Sequence, residues 1–90
     1  MSKNNVSTPR EIGNLFKEAR EKLGLSIPDA AAQSKIHHNV LEDIENGAYE
    51  RLGKLYMKSF IKKYSFFLEL DTNSIAAKFD SISAEIPAKE

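Results

Sequence analysis

Apolar residues in this chain return every third or fourth position, in short blocks broken by glycine, proline and capping residues, and nowhere alternate long enough for a β-strand. That rhythm restricts the fold to helices packed on helices. Thr8-Pro9 pairs an N-cap with proline at the first helical position, and Ile12, Leu15, Phe16, Ala19 and Leu23 share one face until Gly24 ends the helix. Ser26 and Asp29 frame a second start as a short-armed capping box, giving a short helix over roughly residues 27–33. After the turn Ser34-Lys35-Ile36, a third helix runs from His37 or His38 to Asn46 with Val40, Leu41 and Ile44 inward and Gly47 closing it.

A connector then leads to a fourth, aromatic helix over residues 54–68, in which Leu55, Tyr56, Phe60, Ile61, Tyr64, Phe67 and Leu68 recur at helical spacing. Asp71 or Thr72 caps a fifth helix carrying Ile75, Ala76 and Phe79. The expected organisation is a disordered N-terminus over residues 1–8, a domain over 9–80 and a tail over 81–90 that begins a linker. Two short helices meeting across a tight turn behind a longer one make this an all-α, five-helix, repressor-like helix-turn-helix domain.

With 90 residues, 41% of them hydrophobic, there is material for one small core and little to spare for a deep catalytic pocket. No nucleophile elbow or glycine-rich phosphate loop is present, so the expectation is a non-enzymatic protein without cofactor. The adjacent pair His37-His38 points about 100° apart on a helix and cannot share a metal as an i, i+4 pair can. Cysteine is absent, which excludes disulfides and thiolate zinc sites. No apolar run is long enough to span a membrane, and residues 1–10 lack the apolar core of a secretion signal. A cytoplasmic setting is expected.

Charge separates the candidate surfaces. The start of the third helix offers His37, His38 and Asn39 to a DNA major groove, where asparagine can pair with adenine. Yet residues 29–50 hold Asp29, Glu42, Asp43, Glu45 and Glu50 against Lys35 alone. Phosphate neutralisation supplies nearly all non-specific affinity for DNA, so this sign disfavours a DNA reader. The next block reverses it: Arg51, Lys54, Lys58, Lys62 and Lys63 occur with no acid from residue 51 to 68. Tyr56, Phe60 and Tyr64 form one row on the fourth helix and Lys54, Lys58 and Lys62 another. Aromatic anchors rimmed by cations are what protein interfaces favour, so an acidic protein partner is expected, bound by a monomeric domain.

Three segments carry a family resemblance: residues 12–25 (IGNLFKEAREKLGL), 41–52 (LEDIENGAYERL) and above all 56–64 (YMKSFIKKY) followed by Leu68-Glu69-Leu70-Asp71. Together they resemble the N-terminal helix-turn-helix domain of the bacterial cell-shape protein RodZ. The resemblance implies a cytoplasmic domain, joined beyond residue 90 to a membrane-spanning segment, that binds the actin-like filament protein MreB chiefly through its fourth helix. Carried over, it makes Phe60 and Tyr64 the leading contacts, with Tyr56, Lys58, Lys62 and Lys63 beside them. The chain departs from the family where Leu52-Gly53 replaces Leu-Pro, where Lys58-Ser59 replaces Arg-Gly, and where Glu69 replaces the glycine of Leu-Gly-Leu-Asp.

Overall fold

The computed structural model describes residues 8–83, folded into α1 (Pro9–Lys22), α2 (Ile27–Ser34), α3 (His38–Asn46), α4 (Lys54–Phe67) and α5 (Thr72–Ser83), with no strand among them. The expected disordered N-terminus and linker-like tail fall mostly outside these residues. Thr8 itself is the N-cap of α1: its hydroxyl accepts from the Glu11 N–H and the Glu11 carboxylate from the Thr8 N–H, both at 3.1 Å. Ser26 and Asp29 form the same reciprocal box at α2. α5 continues past residue 80 because Ile82 extends the buried stripe of Ile75 and Phe79 by one more turn.

α1 packs chiefly on α3 and α4 on α5, while α2 leans on α3 and α5 closes back on α1. The core that these contacts enclose contains Ile12, Phe16, Ile36, Leu41, Ile44, Tyr49, Met57, Ile61, Tyr64 and Phe79, all buried. Tyr49, in the connector between α3 and α4, bonds through its hydroxyl to the Pro9 and Ile44 carbonyls, both at 3.3 Å, and packs edge-on against Phe79. One connector side chain thereby ties the start of α1 and the end of α3 to α5.

Two expected core positions on α1 are corrected. Leu15 is 39% and Leu23 54% exposed. The buried sector of α1 runs through Ile12, Phe16 and Arg20; Leu15 points about 100° from the middle of that sector, and Leu23 lies past the last helical residue. The half-buried Val40 lies beside the fully buried Leu41 and Ile44.

At the start of α4, Gly53 has φ +84° and ψ 160°, a conformation that only glycine adopts readily. Proline, the residue that the resemblance implies at this position, cannot reach a positive φ. Gly53 thus sets how this chain approaches α4.

Candidate functional site

α4 has a buried and an open side, and the aromatic row crosses from one to the other. Positions four apart advance about 40° round a helix, so Tyr56, Phe60 and Tyr64 spiral rather than align. Tyr56 is 66% exposed, Phe60 is half-buried and Tyr64 is wholly enclosed. The expectation that Tyr64 is a leading contact is corrected by this burial: its ring cannot reach a partner. Met57, Ile61, Tyr64, Ser65 and Leu68 form the inward face instead.

What holds Tyr64 inside is a buried charge pair between α1 and α3. Arg20 grips Glu45 with two parallel bonds, Nε to Oε2 at 2.8 Å and Nη2 to Oε1 at 2.9 Å. Its third donor, Nη1, reaches the Leu25 carbonyl at 2.8 Å, and the Tyr64 hydroxyl donates to Glu45 Oε2 at 2.7 Å. The Tyr64 ring stacks on Phe16 with centroids 5.1 Å apart. The bond to Glu45 and the Glu45 charge raise the Arg20 pKa further against a smaller opposing effect of burial. Burial first, then the Glu45 bond, pushes the Tyr64 phenol far above its ordinary range, so it remains a donor. A sequence signal existed: Arg20 continues the Ile12–Phe16 line of α1 by one more turn, Glu45 stands one turn after Leu41 on α3, and the two charges are opposite.

The open side of α4 presents Leu55, 78% exposed, and Phe66, 79% exposed, with Ser59, Lys62 and Lys63 between them and Tyr56 at one flank. Neither Leu55 nor Phe66 belongs to the expected contact set. Lys58 is partly withdrawn, because its ammonium pairs with Asp80 of α5 at 3.0 Å. Lys62 and Lys63 stay exposed. The result is a helix face of separated apolar groups interleaved with cations, suited to a partner that supplies carboxylates around an apolar patch.

The start of α3 is organised differently. His37 is the N-cap, its Nδ1 accepting from the Asn39 N–H at 3.2 Å, and its ring stacks on His38 at 4.7 Å. His38 lies 3.9 Å from Glu42, one turn on. All three candidate DNA contacts are exposed. Glu45 no longer counts among the acids of this face, and Asp43 pairs with Arg51 at 3.4 Å. Glu42 and Glu50 remain exposed there. Among the described residues no cluster of side chains suits a metal ion, and no helix is long and apolar enough to cross a membrane.

Comparison with known proteins agrees with this architecture. Residues 15–75 match a family described as a helix-turn-helix domain. The chain is 32% identical over 73 residues to the cytoskeleton protein RodZ of Streptococcus pneumoniae, an alignment covering 80% of this chain and 26% of that protein. It is 30% identical over 60 residues to an uncharacterised Haemophilus influenzae protein, covering 64% of this chain and 20% of the other. The chain thus spans about a quarter or less of the curated relatives it matches. Among solved structures, it superposes on a chain from the complex described as bacterial actin MreB assembling with cell shape protein RodZ. The TM-score is 0.80 at 31% identity, over 88% of this chain and 98% of that one.

Proposed function

Because this chain belongs to the helix-turn-helix domain family of RodZ, we propose that it is a cytoskeletal adaptor domain, not an enzyme, that docks MreB filaments through the open face of α4. Tyr56, Phe60, Lys62 and Lys63 make the contact, and Lys58 supports it from its pair with Asp80. In this reading the link to the membrane lies beyond residue 90, and the domain works as a monomer on the cytoplasmic side.

The observation that carries the reading is the pairing of an acid-free α4, open at Tyr56 and Phe60, with a fold matched at 31% identity in the RodZ–MreB complex. A few desolvated aromatics supply most of the affinity at such interfaces, and cations on the rim steer the approach. Co-sedimentation with purified MreB filaments tests this directly. Tyr56→Ala and Phe60→Ala should each weaken binding by about 1–3 kcal/mol with the fold intact by circular dichroism. Affinity should also fall as salt is raised, since ions screen exposed charges beyond about 8 Å at physiological strength. Wild-type binding by both folded variants would refute the assignment.

A further inference from the structure

The exposed ring of Phe66 belongs to the same outward stripe as Leu55 and Lys62, because eleven residues bring a helix back to within about 20° of the same direction. It is not an isolated surface hydrophobe. Phe66, Phe67 and Leu70 line a groove beyond the end of α4, with Lys63 on its rim and Gln33 and Ser34 of α2 forming the facing wall. The backbone stop after α4 sets the position of Leu70, whose N–H turns back to the Ser65 carbonyl at 2.9 Å. Lys63 is common to the groove and to the open face of α4, so the two form one continuous surface.

We infer that this groove is the second half of the docking surface, occupied by an apolar side chain of the same filament subunit that meets Tyr56. The inference rests on the filament-docking reading. Charge fixes the occupant's chemistry and its direction. Lys62 and Lys63 call for carboxylates on the side nearest α4, while Glu69, exposed at the other end, repels them. An apolar residue preceded or followed on one side by acids fits; a basic segment does not. Phe66 then acts as a contact residue, closing over the inserted group.

The test compares Phe66→Ala, Lys63→Glu, Tyr56→Ala and Leu23→Ala chains by co-sedimentation with MreB filaments, with circular dichroism for the fold and sedimentation velocity for self-association. Leu23 is the control, an exposed leucine at the end of α1 that does not line the groove. The expected result is roughly tenfold weaker filament binding for Phe66→Ala, a comparable loss for Lys63→Glu, and no change for Leu23→Ala. Weakening by Tyr56→Ala with wild-type binding by Phe66→Ala would overturn the groove and leave the docking reading standing. Wild-type binding by all three would overturn both. A chain that dimerises through Phe66 while binding filaments equally well with and without it would make a second copy the occupant, and this too overturns the inference.

Discussion

The Tyr64 hydroxyl donates a 2.7 Å hydrogen bond to Oε2 of Glu45, on a helix nineteen residues earlier in the chain. That bond decides which way the aromatic row of α4 turns. Glu45 is held inside by Arg20 and needs a further donor on Oε2, and the phenol supplies it while its ring fills the space against Phe16. Only the earlier members of the row, Tyr56 and Phe60, are left for a partner.

Tyr64→Phe separates the structural role of this residue from a binding role. The ring keeps its stacking on Phe16 and Phe67, but a bond to a charged acceptor is lost, which should lower stability by about 1.5–3 kcal/mol in urea denaturation. Filament affinity of the folded protein should be unchanged. Weakened binding at full stability would restore Tyr64 to the contact surface.

Arg20→Ala removes the guanidinium bonded to Glu45 and leaves a buried carboxylate facing the Tyr64 phenol. Stranding a charge in this way costs about 3–5 kcal/mol, a large share of the stability of a domain this small. The triple variant Arg20→Met, Glu45→Met, Tyr64→Phe removes the whole polar group and should recover most of that loss. Equilibrium unfolding of the two proteins gives the comparison, and a triple variant no better than the single one would contradict the argument.

Local signals read from sequence alone agree with the structure where one chemical feature decides the outcome. The Thr8-Pro9 and Ser26–Asp29 starts, and the five helices in order, follow from caps and apolar spacing that act over a few residues. Glu45 counts among the surface acids in the sequence because a charge is ordinarily exposed, and only tertiary contact between α1 and α3 turns the costly burial of Arg20 and Glu45 into a satisfied pair. Tyr64 was misplaced for a related reason. Identical spacing suggested a common fate for three rings, whereas a helix rotates each successive one about 40° further toward the core. Spacing alone does not mark Leu55 and Phe66 as exposed, since their exposure depends on tertiary contacts.

Alkaline pH should unfold the domain through its two buried phenols. Burial raises the pKa of both Tyr49 and Tyr64 well above the ordinary tyrosine value near 10. The folded state therefore keeps both protons where the unfolded chain gives them up. The associated stability is fully present below pH ~10 and declines above it, by up to about 1.4 kcal/mol per pH unit for each group. Urea midpoints measured between pH 9 and 11 should fall accordingly, and the fall should be about half as steep in Tyr64→Phe. A midpoint independent of pH in that range would show that neither phenol is protected.

Glu69 identifies a substitution that should stabilise the domain. Helices α1, α3 and α4 end alike, with the N–H that follows a left-handed residue turning back five residues: Leu25 to the Arg20 carbonyl, Ala48 to that of Asp43, and Leu70 to that of Ser65. This stop needs one residue at positive φ, which glycine provides without cost. Gly24 and Gly47 occupy it in the first two, at +74° and +75°, whereas in the third Glu69 is forced to +63°. A left-handed conformation costs a non-glycine residue about 1–2 kcal/mol, partly offset by the extra freedom that glycine brings to the unfolded chain. Glu69→Gly should therefore gain about 0.5–1 kcal/mol, a rise of roughly 2–8 °C in Tm for a domain of this size. Glu69→Ala, which removes the same carboxylate but retains the Cβ, should not reproduce the gain. Equal stabilisation by both would mean that charge at the rim of the groove, and not backbone strain, is what Glu69 contributes.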